Sequence, residues 1–352
     1  MNIQKLQVKL NERGLDAIVL FSRVNIQYLA KFAIDDGAAV ITRDRAWMFT
    51  DSRYIEAAKK NVDCMTVEQF DRARPMSVCL KQALEGCAEI GAEEQSLSYA
   101  DWNFWEKKLE TQFAPAEDLL KELRSVKSEY EVQNITEAQR IAERALDEVL
   151  NIIHVGMTER ELAAELTYRM LLHGGEGNSF DPIAICGKKT SMPHGVPGDA
   201  KIAAGDFVTM DFGCLKNGYC SDMTRTVAVG YATDEMREVY ETVLRAQAAG
   251  IAAAKAGATG ADVHNAGAAV IEKAGYGAYF GHGFGHSVGL EIHESPSASP
   301  ANAKPLPAGA VITAEPGIYL PDKFGVRIED MLLLTEGGNI NLTKAPKELI
   351  IL

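Results

Sequence analysis

The sequence predicts an α+β protein built from two domains, and three observations support that expectation. At 352 residues the chain is longer than one hydrophobic core usually organises. Its first third alternates short apolar runs with helical spacings, whereas the remainder groups amphipathic helices and acid-bearing strands into separate blocks. A charged junction near Leu123 to Lys127 divides the two patterns. The expected domains are therefore 1–124, with α/β character, and 125–352.

Taken in order, Ile3 to Arg13 has a helical apolar spacing closed by Gly14. DAIVLF (Asp16 to Phe21) is a short apolar run suited to a buried strand. AAVITRD and AWMFTD read as two further strands joined through Arg43-Asp44-Arg45, followed by a helix from Tyr54 to Lys60. This half carries no phosphate-cradling glycine motif. Leu123 to Ile153 reads as one long charged amphipathic helix. Thr158, with Glu161 three residues on, caps the next helix, which ends near His173. Asp206 to Val229 reads as a hairpin turning on Asn217-Gly218. Alanine-rich helices follow at 233–256 and 260–274, and GAVITAEPGIYL and GVRIEDMLLLT supply closing strands. Each half of the second domain thus shows a helix pair followed by strands, a faint internal repeat.

Composition excludes several functions. A formal net charge of -13, with no basic run of five, argues against a nucleic-acid partner. No stretch approaches the ~20 uninterrupted apolar residues of a membrane span, and the start shows no signal peptide. The six cysteines are scattered without a CxxC pair, so reduced thiols and a cytoplasmic setting are expected.

The chemistry concentrates in carboxylates. If Asn217-Gly218 sets the hairpin register, Asp211 opposes Thr224 and Gly213 opposes Asp222, which places these four on one face. Gly213 then leaves space beside Asp222. Two carboxylates in a half-buried sheet repel, and a shared proton, a basic side chain or a cation must compensate. Glu315 and Glu329 add two more acids within apolar strands, and Pro316 implies that pairing ends there. Between the two aspartates and the two glutamates lies FGHGFGHSVGLEIHE (Phe280 to Glu294), with three of the chain's seven histidines. Its glycines oppose a helical two-histidine zinc site and favour a loop running into a short strand. Four carboxylates balance two divalent cations. Hard oxygen ligands with one imidazole suit manganese, cobalt, iron or zinc. His154, His173 and His264 read instead as hydrogen-bonded core residues.

Asp211, Asp222, His286, Glu315 and Glu329, in that order, resemble the five metal ligands of the pita-bread metallopeptidases, the methionine aminopeptidase, aminopeptidase P and prolidase group. SFDPIAICGKKTSMPHGVPGD, SDMTRT, GHSVGLEIHE, AEPGIY and VRIED resemble its proline-specific branch. NIQYLAKF and TDSRYIEAA resemble that branch's creatinase-type N-terminal domain. The likeness covers essentially the whole chain.

The resemblance implies a pita-bread catalytic domain and two divalent metal ions, with manganese the first choice. Asp211 and Asp222 would bind one ion, His286 and Glu315 would complete the other, and Asp222 and Glu329 would reach both. It also implies Glu315 as proton shuttle, His194 and His293 at the scissile amide, and His282 near the proline ring. Arg327 becomes a partner for a ligand carboxylate, or only a structural ion pair. Short proline-containing peptides and a homodimer follow from the same likeness. The expected activity is Xaa-Pro aminopeptidase, with Xaa-Pro dipeptidase as the alternative. Ser297 stands where many dipeptidases have an arginine for the substrate's C-terminal carboxylate. A non-catalytic peptide-binding protein is the reading from another class, but relatives of that kind lose the ligands.

Overall fold

Apolar runs buried on both faces build the sheet of the N-terminal unit. The computed structural model describes residues 2–352 and separates them into units 1–124 and 125–352. In the first, β1 (Ala17–Leu20), β2 (Gly37–Thr42), β3 (Ala46–Thr50), β4 (Thr66–Gln69), β5 (Ile90–Ala92) and β6 (Phe113–Pro115) lie in the order β4-β3-β2-β1-β5-β6. β1 runs antiparallel to β2 and parallel to β5, so the sheet is mixed. All four residues of β1 are buried, which explains why its sequence runs apolar without alternation. The helix expected at Tyr54–Lys60 occupies Ile55–Asn61.

The helix expected over Leu123–Ile153 is in fact two. One ends at Ser125, and the next spans Glu129–Leu150. Ser128 breaks them by forming a capping box with Glu131, whose carboxylate accepts the Ser128 N–H at 2.9 Å. The same device opens the helix Glu159–Leu172 at Thr158.

These two helices of the second unit cover an antiparallel sheet. Its strands are β7 (Ile183–Cys186), β8 (Phe207–Phe212) and, beyond the short β9 (Leu215–Lys216) and β10 (Tyr219–Cys220), β11 (Met223–Ala228), in the order β11-β8-β7. Asn217 and Gly218 both take positive φ, 49° and 77°, as the tight turn demands. The turn sets the register so that Asp211 faces Thr224. Val208, Met210 and Phe212 enter a core with Leu146, Leu162 and Leu166. Strand alternation therefore turns Thr209 and Asp211 to the opposite face. Gly213 does not leave open space beside Asp222: a Cβ there would meet the Ser221 carbonyl oxygen at 1.9 Å. The glycine permits close backbone approach instead.

The second half repeats the plan. Helices Asp234–Ala253 and Gly260–Lys273 pack together and precede β12 (Gly285–Ser287), β13 (Glu294–Ala298), β14 (Val311–Ala314), β15 (Gly317–Leu320), β16 (Phe324–Arg327), β17 (Asp330–Thr335) and β18 (Gly338–Asn341). Five form a sheet in the order β13-β12-β14-β17-β18, while β15 and β16 make a separate ribbon. The alanine-rich helices leave a slot for one ring. A Cβ on Gly250 or Gly267 would fall 2.1 or 2.2 Å from ring atoms of the fully buried Phe284, which lies two residues before His286. No helix among the described residues is long and apolar enough to cross a membrane.

Because both glycines press on one ring, Gly250→Ala or Gly267→Ala is expected to cost about 1–3 kcal/mol by overpacking. Denaturant midpoints measure that loss, and a variant as stable as the parent would show that the ring has room to move.

Candidate metal centre

The hairpin delivers Asp211 from β8 and Asp222 from the residue preceding β11. The second half of the unit delivers His286 from β12, Glu315 from just beyond β14, and Glu329 from the break between β16 and β17. Pro316 cannot donate to a ladder, and the pairing of β14 with β17 ends at Ala314. All five line one cavity of about 580 Å³, together with His194, His282, His293 and Arg327.

Ligand atoms of Asp222, His286 and Glu329 lie within 4.8 Å of one another. His286 Nε2 stands 3.5 Å from Asp222 Oδ2 and 3.3 Å from Glu315 Oε1. Its Nδ1 lies 3.2 Å from the Ser287 carbonyl, which can only accept, so Nδ1 carries the hydrogen. Nε2 therefore presents a lone pair to two carboxylates. Burial holds the imidazole below its ordinary pKa, in the neutral form that ligates.

The acids are equally constrained. Burial, then the charges of Asp211 and Glu315, pushes Asp222 well above the usual carboxylate range. Burial and Asp222 do the same to Glu329, and burial pushes Glu315 up to about 7. Asp211 Oδ1, Asp222 Oδ1 and Glu329 Oε1 are buried with no hydrogen-bond partner among the described residues. Unpartnered buried oxygens are rare, and here they share a cavity with a nitrogen lone pair. This acceptor-only set fits divalent cations by the hardness of its oxygens and by its charge.

Neighbouring donors hold the remaining oxygens. Thr224 donates to Glu329 Oε2 at 2.7 Å, Arg327 to Asp211 Oδ2 at 2.5 Å, and Thr313 to Glu315 Oε1 at 3.1 Å. Arg327 ends β16 while Glu329 lies in the following break, so the two do not share one continuous strand as expected. They connect through Thr224, which accepts from Arg327 Nε at 3.1 Å. Arg327 also donates to the Tyr319 hydroxyl at 2.9 Å. That hydroxyl donates in turn to His282 Nε2 at 2.9 Å, and His282 Nδ1 donates to the Gly283 carbonyl at 2.8 Å. Burial holds His282 down to about 4, so it is a neutral ring with both nitrogens engaged.

The His293 ring meets His286 edge-on with centroids 4.3 Å apart, and His194 lines the cavity with an exposed side chain. His264, read as a hydrogen-bonded core residue, instead stacks on Phe280 and leaves Nδ1 without a partner among the described residues. Sequence reasoning overlooked Tyr319 and Thr313. Thr313 precedes Glu315 by the same-face strand spacing, which was the available signal; Tyr319 had none beyond lying in an apolar run.

Neutral imidazole and crowded acids in one cavity, on this fold, define the class of metal-dependent hydrolases. Comparison with known proteins makes the class specific. Residues 133–336 match the model of metallopeptidase family M24, and residues 2–126 match the creatinase/prolidase N-terminal domain. The chain is 37% identical to an Xaa-Pro dipeptidase of Pyrococcus furiosus, with 99% of each chain covered. It resembles the solved Xaa-Pro dipeptidase from Bacillus anthracis (TM-score 0.96, 38% identity, 100% and 99% covered). It also resembles the X-Pro aminopeptidase from Thermotoga maritima (TM-score 0.92, 36% identity, 97% and 99% covered). The chain belongs to metallopeptidase family M24 and is an enzyme of that family, with a creatinase-type N-terminal domain ahead of a pita-bread domain.

Carboxyls raised toward neutrality by burial hold protons that a cation must displace. Titrating manganese into chelator-treated protein at pH 7 is therefore expected to release protons, and apparent affinity should rise between pH 6 and 8. Calorimetry in two buffers of different ionisation enthalpy measures the release; equal heats in both would refute it.

Proposed function

We propose that this enzyme is an Xaa-Pro aminopeptidase, hydrolysing the bond before proline at the N-terminus of short proline-containing peptides. The convergence of unpartnered acid oxygens on His286 Nε2 carries the hydrolytic reading. Asp211, Asp222, His286, Glu315 and Glu329 would hold two divalent cations per chain, manganese by first choice, with cobalt, zinc or iron compatible with the same ligands. When bound, such cations supply an activated water and electrostatic stabilisation of the charge that develops on the scissile carbonyl.

The chain's own residues do the rest. Thr313 holds one oxygen of Glu315, leaving the other to carry a proton from the attacking water to the departing proline nitrogen. His293 is kept neutral by burial and by His286, so it donates an N–H to the carbonyl oxygen as its charge grows. His194 contacts the substrate near the scissile amide. His282 has no free nitrogen and offers an uncharged ring wall, which suits an apolar pyrrolidine. Arg327 spreads its hydrogen bonds over Asp211, Thr224, Tyr319 and the Pro193 carbonyl. It braces Asp211 and is not available to a substrate.

That saturation supports the aminopeptidase reading. Among the described residues lining the cavity, Arg327 is the one permanent cation, and a dipeptide's carboxylate finds none free. Ser297, in β13, bonds to Ser299 and does not line the cavity. The second reading, Xaa-Pro dipeptidase, is favoured by the likeness to the P. furiosus and B. anthracis proteins, both named Xaa-Pro dipeptidases. We further propose a homodimer in the cytoplasm; the six free cysteines suit that setting.

Reconstituted protein is expected to retain about two divalent ions per chain, and Glu329→Gln to lose at least one with about a thousandfold fall in kcat. Elemental analysis decides this, and no retained metal would favour a binding module. An Xaa-Pro tripeptide should be hydrolysed with about tenfold higher kcat/KM than the matching dipeptide. The reverse preference would establish the second reading.

A further inference from the structure

The segment Pro193–Pro197 contributes five consecutive residues to the cavity wall, His194 among them. It belongs to an excursion that leaves β7 at Cys186 and returns at Gly198, passing through a short 3₁₀ turn at Gly187–Ser191. The excursion carries no strand or α-helix of its own, so other contacts must hold His194 in place.

One carboxylate holds both of its ends. Glu159 is fully buried at the first turn of the helix Glu159–Leu172. Its side chain does not cap that helix, a task performed by Thr158 and Glu161. Instead Oε1 accepts the Cys186 N–H at 3.0 Å, while Oε2 accepts the Gly198 N–H at 2.9 Å and Lys189 Nζ at 2.6 Å. All three donors lie on the excursion, and Lys189 supplies the charge that a buried carboxylate requires. Backbone bonds from Glu159 N–H to the Ala200 carbonyl and from Arg160 N–H to the Gly198 carbonyl reinforce the returning end. A buried charge is an expensive way to hold a surface loop unless the loop must keep one conformation.

We propose that Glu159 is a positioning residue. It pins both ends of the 186–198 excursion so that His194 and its neighbours present a preformed wall to the substrate. This rests on the proposed function for the substrate's identity, but not for the clamp itself. Glu159 touches neither substrate nor any candidate ligand, so its effect belongs in substrate binding, with little change in the chemical step.

The test compares Glu159→Ala and Glu159→Gln with the parent protein. Trypsin should cut after Lys188 or Lys189 about tenfold faster in the alanine variant, as local opening becomes cheaper. KM for an Xaa-Pro tripeptide should rise about tenfold while kcat stays within about threefold, and metal content should not change. Glutamine keeps the shape and some acceptor capacity, so it should fall between the two and fold normally even if alanine does not. Unchanged trypsin sensitivity in both folded variants would overturn the clamp. Faster cleavage with unchanged KM would overturn its role in substrate binding, as would a loss confined to kcat. If the parent protein hydrolyses no Xaa-Pro peptide, the proposed function fails, while the trypsin comparison still decides the clamp.

Discussion

Mutual repulsion among acids that have lost their water is the constraint on which the catalytic unit is organised. Asp222 and Glu329 are 3% and 1% exposed, and among the described residues no lysine or arginine bonds to either carboxylate. In ordinary packing such charges would be neutralised, paired or expelled. Here the surrounding bonds do something narrower. Thr224, Thr313 and Arg327 fix one oxygen each of Glu329, Glu315 and Asp211, while Asp211 Oδ1, Asp222 Oδ1 and Glu329 Oε1 have no donor among the described residues. That arrangement fixes orientation while leaving bare acid oxygens turned toward the place a cation would take.

Arg327 stands at the centre of this balance. Its guanidinium touches Asp211 directly, Glu329 by way of Thr224, and His282 by way of Tyr319. A planar group with fixed N–H directions can serve several acceptors at once, which a lysine ammonium could not do in the same geometry. One consequence is that the three histidines of the glycine-rich segment differ in kind. His286 keeps a lone pair facing the acids, His282 is hydrogen-bonded at both nitrogens, and His293 lies edge-on against His286.

Neither half of the catalytic unit makes the site alone. The first half provides two aspartates on a hairpin, and the second provides one imidazole and two glutamates. Contacts between the halves are backbone-anchored. The Glu329 N–H donates to the Thr224 carbonyl, and Arg225 donates to the Glu329 carbonyl and to Asp330. Phe284, wedged against Gly250 and Gly267, sets the approach of the His286 strand to that seam. Precision at the centre therefore depends on packing two layers away from it.

Much of this was legible from local chemistry. The Asn217-Gly218 turn and period-two alternation decided which face carries Asp211 and Thr224, because hairpin register is a short-range property. Apolar runs and caps located most helices and strands; the break at Ser128 was overlooked although its capping box is a local signal. Folding alone decided what depends on residues far apart in the chain. It joined Arg327 to Asp211 across 116 positions, routed Tyr319 to His282, and set Glu159 beneath the His194 excursion. A sequence specifies which groups can donate, accept or ionise, but only the packed chain excludes water and so decides which of them must find partners in the protein.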